Sequence, residues 1–174
     1  MIAPVFVDAN IFVYGIDAGA GRKHQLAAEW IGRLWSERLG RTSMQVLSEY
    51  YVTVTRKLKP AIAADEAWRD VNVLMAWKPQ AIDGELLQRA REVERRHRLS
   101  WWDAMIVAAA QLQDCALLLT EDLHDGGAYG SVTVRSPFTL SVEASRAAYV
   151  VAPRAAAHRG RGRPRKAERP AVSR

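Results

Sequence analysis

Cys115-Ala116-Leu117-Leu118-Leu119-Thr120-Glu121-Asp122-Leu123 is the stretch on which the fold turns. The apolar run at 116–119 reads as a strand buried on both faces, the kind found in parallel sheets covered by helices. It stops at Thr120, and two carboxylates follow at once. Upstream, Ser100 opens a helix over 101–113 in which positions 104–110 have no polar side chain, so this helix should be buried nearly all round. Downstream, Gly126, Gly127 and Gly130 form a loop into an alternating strand at 132–134, before Pro137.

The same alternation extends toward the N-terminus. Residues 2–7 are rich in β-branched side chains and predict a first buried strand ending at Asp8. A helical turn at 10–14 leads to a loop marked by Gly15, Gly19 and Gly21. A helix follows over 24–39, with Leu26, Trp30, Leu34 and Trp35 at helical spacing and Gly40 closing it. After a polar connection at 41–43, another helix runs to about 58 on the face Leu47, Tyr50, Tyr51, Val54 and Leu58, and Pro60 blocks its continuation. Asp65 and Glu66 begin a helix carrying Trp68, Val71, Leu74 and Met75. A short strand is predicted at 78–82, and Asp83 is placed to cap a helix facing Leu86, Leu87, Ala90 and Val93 inward. Strands separated by helices imply an α/β sandwich with a mostly parallel sheet.

The chain has 174 residues, enough for one domain with its own core. The single cysteine, Cys115, excludes a disulfide framework and reads as a small buried apolar residue, compatible with a reducing cytoplasm. No apolar run is long enough to span a membrane, and Asp8 interrupts the N-terminal stretch, so a secretory signal is not expected. There are 25 Lys+Arg against 19 Asp+Glu, a net charge of +6, which points to nucleic acid. Segment by segment the picture changes. Residues 152–174 hold eight basic groups and one acid. Removing these from 25 and 19 leaves 17 basic and 18 acidic groups, a net of −1, for residues 1–151. The basic surplus belongs to the C-terminal tail, whose Arg-Ala-Pro-Gly composition without apolar periodicity predicts disorder.

In the near-neutral body, four acids stand out. Asp8 ends the first strand and Asp122 follows the strand at 116–119; carboxyl ends of parallel strands are where such folds bind ligands. An Asp there can equally serve as a turn or cap residue. Glu49 lies mid-helix, four residues after Gln45 and on the same side, where a solvated glutamate is the plain alternative. Asp103 fits the Ser100-x-x-Asp103 capping box, yet a carboxylate in a helix's first turn is also kept ionised, as a metal ligand must be. Carboxylates about 4 Å apart repel by roughly 4 kcal/mol per pair at an effective dielectric near 20, so a cluster of four takes up protons or recruits cations. Oxygen ligands without Cys or His favour Mg²⁺ or Mn²⁺, and such an ion beside a polyanion supports phosphodiester hydrolysis.

At these residues the sequence resembles the PIN-domain ribonucleases, especially the VapC-type toxins of toxin–antitoxin pairs. Phe6-Val7-Asp8-Ala9-Asn10-Ile11 is similar to the family's opening strand. Ser48-Glu49-Tyr50, Trp102-Asp103-Ala104 and Leu119-Thr120-Glu121-Asp122-Leu123 are similar to its later acidic sites, and Gly130-Ser131-Val132-Thr133-Val134 followed by Pro137-Phe138 resembles its last strand. The resemblance covers residues 1–140 and implies a three-layer α/β/α sandwich acting as an Mg²⁺- or Mn²⁺-dependent endoribonuclease. It implies Asp8, Glu49, Asp103 and Asp122 as catalytic metal ligands, with Asn10 and Thr120 orienting them and Glu121 and Asp125 as accessories. No side chain stands out as a general base, so water activated by the cation is the expected nucleophile. A small antitoxin that blocks the pocket, a homodimer and a cytoplasmic location are implied as well.

Two features fall outside that pattern. The six tryptophans are expected mostly in core or subunit packing, with Trp101 and Trp102 the candidates for stacking on RNA. Within the segment 141–174, Arg161-Gly162-Arg163-Pro164-Arg165-Lys166 resembles an AT-hook, which would lie in the minor groove of A/T-rich DNA; general phosphate attraction or simple solubility are the alternatives. The rival to the nuclease is therefore a non-catalytic nucleic-acid-binding protein whose affinity resides in this tail.

Overall fold

The computed structural model describes residues 3–139; the basic segment with its AT-hook-like motif lies outside them. Five strands form one sheet: β1 (Val5–Val7), β2 (Gly40–Arg41), β3 (Leu117–Leu119), β4 (Ala128–Tyr129) and β5 (Val132–Arg135). Their spatial order is β2-β1-β3-β5-β4, parallel throughout except for the β4–β5 hairpin. Six α-helices accompany them: α1 (Ala9–Ile16), α2 (Arg22–Ser36), α3 (Met44–Val52), α4 (Ala64–Leu74), α5 (Gly84–His97) and α6 (Trp101–Leu112). The mostly parallel sheet flanked by helices is the α/β sandwich expected from the sequence.

The uninterrupted apolar runs are buried as their composition requires. Every residue of β1 and β3 is buried, and α6 buries all of Ala104–Ala110. Removing a Leu or Val side chain from water at such sites contributes about 1.5–3 kcal/mol each. Four alanines among those seven residues let α6 pack closely against α5 and against β3 and β5. Helix starts follow their caps. Asp83 accepts from the Leu86 N–H at 2.9 Å, Ser43 from Val46 at 3.3 Å, and Ser100 from Asp103 at 3.2 Å. The helix before Pro60 ends differently from its periodicity: α3 stops at Val52 and a π-helical turn, Thr53–Lys57, completes it.

The strand expected at 78–82 does not form. A 3₁₀ turn, Met75–Trp77, ends at Lys78 in a left-handed conformation (φ 53°), and only an isolated bridge joins Gln80 to Ser43. The second strand lies instead at Gly40–Arg41, within what reads as a turn and a polar connection. Gly40 is needed there because a Cβ would sit 2.5 Å from the Trp77 indole. Trp77 packs on Gly40 from one face of the sheet, and beside it Gln80 alone pairs: its N–H donates to the Thr42 carbonyl at 3.0 Å and its carbonyl accepts from the Met44 N–H at 2.9 Å, while Pro79 has no N–H to extend the ladder. Among the tryptophans Trp30 and Trp77 are core residues, whereas Trp35, Trp68 and Trp102 are 42%, 54% and 62% exposed.

The connectivity fixes where a ligand can bind. From β1 the chain crosses to β2 on one side, and from β2 it returns past β1 to β3 on the other. The direction of winding reverses between β1 and β3, which opens a crevice at their carboxyl ends. Asp8 follows β1 directly, and Thr120-Glu121-Asp122 follows β3.

Candidate active site

Asp8 joins both readings of its position. It is the N-cap of α1, its Oδ1 accepting from the Ala9 N–H at 2.7 Å, while Oδ2 faces the crevice and accepts the Thr120 hydroxyl at 2.8 Å. The side chain is buried. Burial pushes its carboxyl up from 3.8 to about 6 against these two donors, and the nearby charges of Glu49 and Asp122 raise it further.

Thr120 is the hub of the crevice. Its hydroxyl donates to Asp8, and the same oxygen accepts from Asn10 Nδ2 at 3.1 Å and from the Asp122 N–H at 3.1 Å. Asn10 Nδ2 also donates to Asp122 Oδ2 at 2.9 Å. A threonine directly after β3 and an asparagine in the first turn of α1 thereby lock two carboxylates from different elements into one arrangement.

The other wall comes from α3 and α6. Gln45 Nε2 donates to Glu49 Oε1 at 2.9 Å and to the Trp102 carbonyl at 3.4 Å, so it links Glu49 to the start of α6. There Ser100 Oγ caps the helix and donates to Asp103 Oδ2 at 2.7 Å. Asp103 is thus a capping residue, half-buried, at the helix end that Gln45 joins to Glu49. The structure brings Asp8, Asn10, Thr120 and Asp122 into direct contact and places Glu49 within electrostatic reach of Asp8. Asp103 reaches this group only through Gln45 and Trp102.

The two accessory acids are engaged elsewhere. Glu121 accepts from the Tyr14 hydroxyl and pairs with Lys23 at 2.6 Å. The Lys23 ammonium stands 4.7 Å and 5.0 Å from the centroids of the Tyr14 and Phe138 rings. Its contact with Glu121 raises the affinity of Lys23 for its proton. This cluster turns Glu121 toward α1 and α2 and leaves Asp122 to face Asn10. Asp125 pairs with Arg135 at 3.0 Å and accepts from the Ser136 N–H and the Thr139 hydroxyl, closing the turn after β5.

The spacing of four that sets Gln45 on the side of Glu49 is the sequence signal for their contact. Tyr14 and Lys23 carry no local signal, since their partner lies about a hundred residues away.

Among the described residues no three His, Cys, Asp or Glu side chains already form a group that could hold a metal ion. The chemistry of the donors nevertheless suits a hard divalent cation. Asn10 Oδ1 and Gln45 Oε1 are buried without a hydrogen-bond partner, and the amide nitrogens of the same two side chains are bonded to the carboxylates of Asp122 and Glu49. One orphan amide oxygen near Asp122 and another near Glu49 leave unmet negative potential, which an ion with oxygen preference would satisfy.

Among curated proteins none matches the chain in sequence. Solved structures do share its fold. A toxin–antitoxin complex from Klebsiella pneumoniae is 22% identical, with a TM-score of 0.55, over 78% of this chain and 98% of that one. The VapBC2 complex of Rickettsia felis, bound to a DNA fragment from its promoter, is 12% identical, with a TM-score of 0.53, over 76% and 97%. The VapC20 toxin of Mycobacterium tuberculosis, a sarcin–ricin-loop-cleaving toxin, is 20% identical, with a TM-score of 0.49, over 66% and 86%. The profile of the PIN domain matches residues 5–124, well over half of the sequence and all of the crevice, and the chain belongs to the PIN-domain family.

Proposed function

We propose that the protein is a divalent-metal-dependent endoribonuclease and the toxin of a toxin–antitoxin pair. The observation that carries this reading is the crevice at the β1–β3 switch point. There Thr120 and Asn10 hold Asp8 and Asp122 together, with Glu49 near enough to raise the Asp8 carboxyl. Membership of the PIN-domain family supports nuclease chemistry. Its fold is shared with a toxin–antitoxin complex and with VapBC2, which supports a small antitoxin partner; a homodimer acting in the cytoplasm belongs to the same proposal. No helix among the described residues is long and apolar enough to cross a membrane.

Asp8, Glu49 and Asp122 would hold Mg²⁺ or Mn²⁺, with Asp103 completing the set from α6. When bound, the cation supplies Lewis-acid polarisation of the phosphodiester and offsets the charge that builds up on it. The protein's own groups prepare the site. Thr120 and Asn10 fix the directions of the carboxylate oxygens, and Gln45 holds Glu49 against the start of α6. Buried Asp8 keeps a proton below about pH 6, so acid competes with the cation for the same oxygen. The body contributes no positive surplus, and the proposed division is a nuclease unit at 1–140 with a separate nucleic-acid-contacting segment at 141–174.

The test is cleavage of total RNA by the full-length protein in Mg²⁺ or Mn²⁺ and in EDTA, with Asp8→Asn alongside. Cleavage that needs the cation and drops at least a hundredfold in Asp8→Asn is expected. Equal cleavage by the two proteins, or none by either, would sink the nuclease reading and favour a protein that only binds nucleic acid.

A further inference from the structure

The body of the protein is slightly acidic, yet its cations are not evenly spread. On α5 and its cap stand Arg89, Arg91, Arg95, Arg96 and Arg98. Arg91 pairs with Glu94, and Arg89 sits 3.5 Å from Glu92, where both are well exposed and such a pair is weak. Arg95, Arg96 and Arg98 are exposed and have no acidic partner among the described residues.

Arg89 and Arg96 are seven residues apart and so share a helix face. They line a hollow of about 230 Å³ together with Gln111, Leu112, Gly130 and Ser131. Its floor is fixed. Gln111 Nε2 donates to the Tyr129 carbonyl at 2.9 Å, and Gly130, at φ +65°, lies against that amide so closely that a Cβ would come within 3.1 Å of it. His97 stacks edge-on against Tyr129 at 5.1 Å, holding the end of α5 to the hairpin. A second hollow, of about 450 Å³, opens beside Glu92, Arg95 and Arg96.

The position of this row is as informative as its charge. Only Leu99 and Ser100 separate the Arg98 cap from α6, whose first turn carries Asp103. The C-terminal end of α5 therefore lies beside the start of α6, and the face shared by Arg89 and Arg96 runs back from it for about 10 Å at 1.5 Å per residue. Beside the loop after β3, Lys23 is paired with Glu121 and Arg135 with Asp125.

We propose that this arginine row and its hollow form a track for the phosphodiester backbone of single-stranded RNA leading away from the cleavage site. Guanidinium groups suit phosphate oxygens because they offer planar paired donors, and the Gln111 amide and Ser131 hydroxyl add neutral polar groups at the rim. The inference rests on the ribonuclease reading for its choice of ligand over an acidic protein.

The test uses the full-length protein with Asp8→Asn, so that RNA is bound without being cut, and fluorescein-labelled oligouridines of 3 and 12 nucleotides across a salt series. Counterion release gives a slope of about 0.7 per phosphate contact on a single strand. Replacing Arg89 and Arg96 together by Gln should lower the 12-mer salt slope by about 1.4, weaken its binding and leave the trinucleotide unchanged. Arg91→Gln, on the same helix but paired with Glu94, should leave both oligonucleotides at the parent values. With Asp8 intact, the double variant should raise KM for a long RNA and leave kcat alone. Unchanged 12-mer affinity and slope would overturn the proposal, as would equal weakening of both lengths. Failure of the nuclease reading would show separately, as wild-type protein that cuts no RNA in Mg²⁺ or Mn²⁺.

Discussion

Replacing Asp8 by Asn separates a cost of folding from a requirement of chemistry. Burial raises the Asp8 carboxyl from 3.8 to about 6, so the folded protein binds that proton more tightly than the unfolded chain. The stability associated with Asp8 is then fully present below about pH 3.8 and is lost as the pH rises through 6. At pH 8 the loss is on the order of 3 kcal/mol, a large share of the 5–15 kcal/mol typical of a domain. Asparagine removes that penalty but brings another. Thr120 Oγ1 already accepts from Asn10 and from the Asp122 N–H, so the new amide N–H meets an oxygen with no free lone pair. The Thr120 hydroxyl loses its acceptor at the same time. An unmet buried donor costs about 1–3 kcal/mol.

Because the second cost does not depend on pH, the difference between the two proteins isolates the first. Urea unfolding followed by tryptophan fluorescence, in EDTA at pH 4, 6 and 8, reads it directly. Asp8→Asn should be less stable than wild type at pH 4 and should gain on it by about 2.5 kcal/mol by pH 8. Other carboxylates titrate alike in both proteins and cancel to first order. A difference that stays constant from pH 4 to pH 8 would refute the reasoning, since it would mean that Asp8 is not held near 6 by its burial. Adding Mg²⁺ at pH 8 extends the test. At a hundred times its Kd an ion that binds only the folded state stabilises it by about 2.7 kcal/mol, and this gain should be lost in Asp8→Asn.

Two further substitutions probe the hub and the sheet. Thr120→Val keeps the shape but removes the oxygen that serves Asp8, Asn10 and Asp122; it should cost about 2 kcal/mol and move the acid limb of the cleavage profile to higher pH. Thr120→Ser should restore both, as urea melts and a pH–rate profile would show. Gly40→Ala places a Cβ within 2.5 Å of the Trp77 ring and should destabilise by about 1–3 kcal/mol; an unchanged melting temperature would mean that Trp77 is not packed tightly on Gly40.

What the sequence disclosed, and what it withheld, follows from the range of each interaction. β1, β3 and α6 were legible because complete burial leaves a continuous apolar run, and the carboxylates at their ends were legible because a parallel sheet binds ligands there. β2 was not, since two residues fixed by a neighbouring indole have no periodicity to read. The false strand at 78–82 had the opposite fault: Lys78-Pro79-Gln80-Ala81-Ile82 has almost no periodicity, and Pro79, lacking an N–H, leaves Gln80 with a single bridge to Ser43. The acidic crevice shows the same division. Thr120 and Asn10 could be named from their positions beside Asp122 and Asp8, but Glu121 could not be told from Asp122 by adjacency alone. The distinction lies with Tyr14 and Lys23, which draw Glu121 away, and with Asn10, which holds Asp122. Adjacent acids on a loop are chemically equal until distant donors choose between them. Such a choice is made by tertiary structure, so Asp122 faces the crevice because Glu121 has partners elsewhere.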